Sequence, residues 1–287
     1  MLSNKHIAFI GPGVMAEAMI SGLIRQNAAP AELLLVSGPR RERVEDLKQQ
    51  YGVQAFTDNA EAACRADIVV LSVKPQRLDK VLAGLRGRLK AEALVLSIVA
   101  GASIEKISSG LQHGLVVRSM PNTPAQIGEG ITVWTAAPGV SPEQVEMARM
   151  VLLPLGEEIF MEEENYLDMA TALSGTGPAY VFLFMEAMVD AGVHLGFPRR
   201  IAEELVTKTV LGSVNYYQGL NREGHMHLAR LRNQVTSPGG TSAAALYYLE
   251  KAGFRTALSR AIWAAYERSR ELGKDALTRP PEGGSAE

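Results

Sequence analysis

The chain has 287 residues, 47% of them hydrophobic, which suits two domains of ordinary size with sizeable cores. Its formal net charge of −2 argues against nucleic acid or an anionic membrane surface as the main partner. One cysteine, Cys64, excludes a disulfide within the chain and fits a reducing compartment.

No run of about 18 uncharged apolar residues reads as a membrane span. The first residues pass straight into a structured motif without the pattern of a secretory signal. A cytoplasmic location is therefore expected, with no membrane and no nucleic-acid partner. That first motif is the apolar run Lys5–Ile10 followed by Gly11-Pro12-Gly13-Val14-Met15-Ala16 and a helical pattern through Leu23. Strand, glycine turn and helix together give the form G-x-G-x-x-A of a dinucleotide site. Gly11 makes the turn, Gly13 lets a pyrophosphate approach the backbone, and Ala16 lets helix and strand pack closely. Val14 and Met15 open the helix whose first N–H groups attract the phosphates.

The next strand, Leu33–Val36, does not end in the carboxylate that an NAD-selective site uses. Ser37, Arg40 and Arg41 follow instead. A hydroxyl and a guanidinium fork at Ser37 and Arg40 suit a ribose phosphate, so NADP is expected ahead of NAD. Arg43 is expected on a solvated helix face.

The strand–helix rhythm continues through Val53–Phe56, Asn59–Cys64, Asp67–Val73, Ala93–Val99 and Leu115–Met120. Near-continuous apolar runs such as DIVVLSV suit a parallel sheet covered on both faces. Gly130–Ala136 and Glu157–Met161 read as further strands around a helix from Ser141. Ligands of such sheets lie outside the carboxyl ends of the strands. Val73, Lys74 and Pro75, then Ala100 and Gly101, then Asn122 fall at those ends and are expected to line a nicotinamide. Cys64 reads as a small, buried or half-buried hydrophobe. His225 and His227 have no third ligand at metal spacing, and no metal site is expected.

After Met161 the pattern turns helical. Asn165–Leu173 is a helix, Ser174–Pro178 a break and restart, and Ala179–Leu195 a helix apolar nearly all round apart from Glu186 and Asp190. Pro198–Gln218, Leu228–Gln234, Thr241–Lys251 and Phe254–Leu272 complete an all-helical half. That half carries more apolar face than its size can bury, so two copies are expected to pack through it. Within it lies Ser237-Pro238-Gly239-Gly240-Thr241-Ser242, a glycine loop entering a helix and a cradle for a carboxylate or phosphate. Thr241 and Ser242 are the expected cap.

The fold class expected is α/β: a Rossmann-type, mostly parallel sheet domain over residues 1–162, followed by an all-helical dimerisation domain over 163–275. Residues 276–287 read as a disordered tail.

The segments IAFIGPGVMAEAM, SVKPQ, VAGAS, RSMPNTPA, ALSGTGPAYVFLFMEAMVDAGVHLGFPRRIA and LRNQVTSPGGTSAAALYYLE resemble the pyrroline-5-carboxylate reductase family, from about Lys5 to Leu272. The resemblance implies reduction of 1-pyrroline-5-carboxylate to L-proline with NADPH, or with NADH. It assigns Gly11–Ala16 to the pyrophosphate, Ser37 and Arg40 to the ribose phosphate, and Lys74, Pro75, Ala100, Gly101 and Asn122 to the nicotinamide side. It assigns Ser237, Gly239, Gly240, Thr241 and Ser242 to the substrate carboxylate, with Thr241 and Ser242 hydroxyls near the ring nitrogen as catalytic groups. It further implies a domain-swapped homodimer, often built into a decamer, in which a second subunit's helical domain completes the site. The chain departs from the family pattern at Ala16, Leu228, Asn233 and Ser242. A β-hydroxyacid-dehydrogenase-like reductase shares the domain layout but needs a lysine on the helix Pro178–Leu195, which has none. A non-catalytic NADPH sensor would keep the fingerprint and lose the SPGGTS loop.

Overall fold

A computed structural model describes residues 2–221 and 226–278. They fall into two compact units, Met1–Gly177 with the chain from Ala264 onward, and Pro178–Trp263.

The first unit is built on eight strands: β1 (Ile7–Ile10), β2 (Leu34–Ser37), β3 (Gln54–Phe56), β4 (Ile68–Leu71), β5 (Leu94–Ser97), β6 (Val116–Met120), β7 (Gly130–Ala136) and β8 (Gly156–Phe160). Their order is β3-β2-β1-β4-β5-β6-β7-β8, parallel except where β6 meets β7. Between the strands lie α1 (Val14–Arg25), α2 (Arg41–Tyr51), α3 (Asn59–Arg65), α4 (Leu78–Leu85), α5 (Ile104–Leu111) and α6 (Pro142–Leu152). Alternate residues of one strand enter two separate cores. Ile7 and Phe9 pack with Met19, Leu23 and Trp134, while Ala8 and Ile10 pack with Leu82 and Ile107. The central strands are therefore apolar without interruption, because both faces are covered.

One local reading changes, and one element is added. The segment Ile104–Leu111, between two expected strands, is a helix, α5, capped by the Ser103 hydroxyl, which accepts the Lys106 N–H at 3.1 Å. Cys64 is exposed, and its thiol donates to the Glu61 carbonyl.

Six further helices start in the second half among the described residues, the first five being α7 (Tyr166–Ala170), α8 (Gly177–His194), α9 (Arg199–Asn221), α10 (Leu228–Gln234) and α11 (Thr241–Lys251). The last, α12, spans Phe254–Thr278 and outruns the expected end at Leu272. The expected break at Ser174–Pro178 is a distortion within a helical run. Residues Thr171–Gly175 form a π-helical turn. There the hydroxyls of Thr171, Ser174 and Thr176 donate to the carbonyls of Leu167, Ala170 and Thr171, at 2.7, 3.0 and 2.8 Å. Such back-bonding competes with the regular ladder and widens the turn. The expected junction at 162/163 also differs from the division between the compact units. Glu164 and Asp168 pair with Arg118 of β6, so the chain stays with the sheet up to Gly177.

In the helical unit only Val189, Ala202 and Val206 form a buried cluster among the described residues. Phe182, Leu183, Leu195, Tyr248 and Trp263 stand exposed. The run Tyr166–His194 is long and apolar enough to cross a membrane by length and composition, and it holds Asp168, Glu186 and Asp190. Of the tail expected to be disordered from residue 276, Ala276–Thr278 instead end α12, and His225 and residues 279–287 lie outside the described residues.

Candidate active site

Parallel strands bring the loops after β1, β2, β4, β5 and β6 to one edge of the sheet, and the order reverses between β1 and β4. That reversal is where ligands bind in doubly wound sheets. Gly11, Gly13, Val14 and Met15 follow β1; Arg40 follows Ser37 at the end of β2; Val73, Lys74 and Pro75 follow β4. Ala100 and Gly101 follow β5, and Asn122 follows β6. Sequence and structure agree on this placement.

The glycine turn is held from behind. Gly11 has φ +101°, and a Cβ there would lie 2.7 Å from the Val73 side chain and 2.9 Å from the Ser72 backbone. No other residue fits. The Gly11 N–H donates to the Ser37 carbonyl at 2.9 Å, and the Ser72 hydroxyl donates to the Gly11 carbonyl at 2.8 Å. The space in front of Gly13 is open, since a Cβ there would meet nothing within 4 Å. α1 begins immediately after, with Gly13 as its N-cap and no side chain covering its first N–H groups. A pinned turn, an open approach and uncovered amides suit a pyrophosphate.

Arg43 departs from its expected solvated position. Its Nε donates to the Pro12 carbonyl at 3.1 Å, and its Nη2 pairs with Glu17. The Tyr51 hydroxyl donates to the other Glu17 oxygen at 3.0 Å. Burial alone would raise the Glu17 pKa, but the hydrogen bonds from Arg43 and Tyr51 and the Arg43 charge outweigh it, leaving the carboxyl below its usual value. The guanidinium that looked like surface decoration braces the glycine turn.

Ser37 is fully buried, and its hydroxyl donates to Asn59 Oδ1 at 2.8 Å. Its proton is thus directed to Asn59 at the start of α3. Arg40 is exposed at the N-cap of α2 and carries no ion pair among the described residues. Asn59 was missed because it is 22 residues from Ser37 and only the β2–β3 pairing brings them together.

Gly101 (φ +72°) is packed against α12. A Cβ would meet Leu272 Cβ at 2.9 Å and the Ser269 carbonyl at 2.9 Å. Asn122 fixes its own loop by accepting the Ile131 N–H on Oδ1 at 3.0 Å. Arg118, inside β6, is 4% exposed and bonds to Glu164 and Asp168 at 2.9 and 2.8 Å. A lone charge inside the apolar strand VVRSM was the signal that carboxylates had to meet it.

In the helical unit, Gly240 is the N-cap of α11 and makes no side-chain cap bond, so Thr241 and Ser242 sit at the first two helical positions. The expected hydroxyl cap is therefore replaced by glycine. Gly239 takes φ +69°, and the Gly240 N–H donates to the Ser237 carbonyl at 3.1 Å. A Cβ at Gly240 would displace the Ser237 hydroxyl and press on the Ser237 carbonyl at 3.2 Å. The first bond of the helix runs from Ala244 N–H to the Gly240 carbonyl, which leaves the amides of Thr241, Ser242 and Ala243 outside the ladder. Ser237, Gly239 and Thr241 are exposed. His227 caps α10 through Nδ1, which accepts the Ala229 N–H at 3.1 Å.

Residues 164–272 match the model for pyrroline-5-carboxylate reductase dimerisation, and residues 6–101 that for NADP oxidoreductase, coenzyme F420-dependent. The pyrroline-5-carboxylate reductase of Synechocystis is 43% identical over 269 residues, covering 94% of this chain and 98% of that protein. A solved pyrroline carboxylate reductase of Plasmodium falciparum with NADP bound superposes with a TM-score of 0.85 at 32% identity, over 95% of this chain and 100% of that one. The enzyme of Coxiella burnetii gives 0.83 at 34%, over 94% and 99%. The chain that carries this glycine turn and the glycine-capped α11 therefore belongs, over nearly its whole length, to the pyrroline-5-carboxylate reductase family.

Proposed function

We propose that the protein reduces 1-pyrroline-5-carboxylate to L-proline with NADPH, the last step of proline biosynthesis. Gly11, Gly13 and the first amides of α1, around Val14 and Met15, hold the pyrophosphate. Arg40 meets the ribose phosphate with its fork, and Ser37 acts through Asn59, whose oxygen it engages so that the amide nitrogen remains a donor. Val73, Lys74, Pro75, Ala100, Gly101 and Asn122 flank the nicotinamide. When bound, NADPH supplies the hydride, and NADH is the weaker substitute because it lacks the phosphate that Arg40 meets.

The substrate carboxylate sits at the glycine-capped start of α11, on amides of Thr241, Ser242 and Ala243, with Ser237 closing the loop. A helix N-terminus with no side chain on its amides favours an anion. The Thr241 and Ser242 hydroxyls lie on the first turn and hydrogen-bond near the ring nitrogen, and the substrate enters as its iminium ion. Protein groups here bind and orient, so their contribution is positional. The uncovered amides of α11 are the observation that carries the substrate half of this reading.

The functional division is residues 1–162 for the nucleotide and 163–275 for substrate and dimerisation. The exposed apolar faces of the helical part pack against a second copy in a homodimer, whose helical domain completes the partner's site; further assembly to a decamer follows the same route. The enzyme works in the cytoplasm.

Purified protein mixed with NADPH and the cyclic imine should oxidise the cofactor, followed by absorbance. Oxidation with a keto acid and none with the imine would overturn the reading in favour of a hydroxyacid dehydrogenase, and oxidation with no substrate, with none due to the imine, would overturn it as well. Thr241→Ala and Ser242→Ala should each cost about 1–3 kcal/mol of transition-state binding, as a buried polar contact does. Unchanged kcat/KM in both would remove the hydroxyls from the mechanism.

A further inference from the structure

One buried cluster has no part in the roles assigned so far. Arg118 lies inside β6, three residues before Pro121 of the Pro121–Asn122 loop. Its two terminal nitrogens are divided between Glu164 and Asp168, at 2.9 and 2.8 Å. Each carboxylate has a second bond. Glu164 Oε1 accepts the Ile104 N–H at 2.8 Å, at the start of α5 just beyond the Ala100–Gly101 turn. Asp168 Oδ1 accepts the Ser269 hydroxyl of α12 at 2.8 Å.

α12 in turn lies on that same turn, backbone to backbone. A Cβ on Gly101 would meet the Ser269 carbonyl at 2.9 Å, and one on Gly273 would meet the Gly101 carbonyl at 2.7 Å. On the other side, a Cβ at Gly175 in the π turn would meet Met120 Cε, at the end of β6, at 2.7 Å. The strand-end loops of β5 and β6 are therefore tied to α7, the π turn and α12 by one buried cation, by a backbone contact at Gly101 and Gly273 that leaves no room for a Cβ, and by the packing of Met120 on Gly175. An unpaired Arg118 would be costly in this place, so the pairing fixes geometry strictly.

We propose that Arg118 is a positioning residue: through Glu164, Asp168 and Ser269 it sets the Ala100–Gly101 turn and the Pro121–Asn122 loop as a rigid wall for the nicotinamide ring. This rests on the nicotinamide side proposed above. It predicts a division of labour. The adenine and phosphate half is anchored at Gly11–Gly13 and Arg40, away from the cluster, so loosening the cluster disturbs hydride geometry and leaves cofactor affinity alone.

Ser269→Ala removes the α12 link without unpairing the cation, and Arg118→Lys keeps the charge but offers no fork to span two carboxylates. Both should lower kcat, roughly three- to tenfold for Ser269→Ala and about ten- to a hundredfold for Arg118→Lys, since small misplacements of a reacting group are costly. KM for NADPH should stay within about twofold of wild type. The primary isotope effect on kcat with NADPH deuterated at the transferred position should rise, because hydride transfer becomes more limiting. The emission of bound NADPH should shift as its ring loses order. A kcat loss with an unchanged isotope effect and unchanged emission, or a matching rise in KM, would reduce the cluster to a structural staple. If Arg118→Lys does not fold, Ser269→Ala decides. If the wild type leaves the imine untouched, the proposed function falls, and the emission of bound NADPH in the two variants still decides whether the cluster orders the ring.

Discussion

The sheet unit and the helical unit use similar apolar content in opposite ways. Strands β1, β2, β4 and β5 are buried at every residue, and helices cover both faces. In the helical unit α8 is apolar nearly all round apart from Glu186 and Asp190, yet Phe182 is 61% and Leu183 66% exposed. Apolar surface of that extent on adjacent helices is the mark of an interaction face. The difference teaches that the sheet unit buries its apolar residues within itself, while the helical unit leaves much of its own apolar surface uncovered.

The most direct way to break this contrast is to put charge on the unfinished half. Phe182→Glu combined with Leu183→Glu should convert the proposed dimer to monomer in sedimentation velocity and lower imine reduction by at least about a hundredfold, since isolated charges cannot be buried in such a face. NADPH binding by the sheet unit should survive. A variant that stays dimeric, or a monomer with full activity, would erase the distinction between the two units.

The next largest effect is confined to the sheet unit. Arg40→Ala should weaken NADPH by about ten- to a hundredfold, the scale of a charge-assisted hydrogen bond, and leave NADH nearly unchanged. Steady-state KM for the two cofactors measures this. An equal loss for both would move the phosphate contact away from Arg40.

Arg43→Ala should have a smaller effect, because Arg43 acts on the turn from behind. Losing its bond to the Pro12 carbonyl should raise KM for NADPH about three- to tenfold, with kcat little altered. No change in KM would return Arg43 to the solvated face that its sequence position suggested.

Acid pH should give the smallest and most gradual effect, again in the sheet unit. For Asp67, burial raises the pKa, but bonds from Lys90 and the His6 N–H, with the charges of Lys90 and Lys5, lower it by more. Both Glu17 and Asp67 are thus held below their ordinary values of 4.5 and 3.8. A carboxyl with a depressed folded pKa contributes stability above its unfolded pKa and loses it as pH falls through the folded value. The thermal midpoint should therefore hold steady down to about pH 5 and decline below about pH 4, and Glu17→Gln should reduce that dependence. A midpoint that rises on acidification would contradict the sign.

Much of the site was legible before the structure. Gly11 and Gly13 stand between an apolar strand and a helical pattern, and only one local geometry satisfies that order. The SPGGTS loop was legible for the same reason, although its cap proved to be Gly240, because the hydroxyls one and two places later fall inside the helix. Ser37 was read correctly as a strand end and incompletely as a free hydroxyl, since nothing local reveals that Asn59 will face it.

Local patterns therefore determined by themselves the strand–turn–helix units, the parallel sheet and the surplus apolar face of α8, because each depends on residues a few positions apart. Tertiary structure alone decided what lies opposite them. It turned Arg43 onto Pro12, 31 residues away, set Gly101 against α12, and drew Glu164 and Asp168 around Arg118, 46 and 50 residues on, with Ser269 on Asp168 at a separation of 101. A buried cation announces in the sequence that it needs carboxylates, and only the folded chain says which ones reach it, because that depends on how strands and helices are stacked.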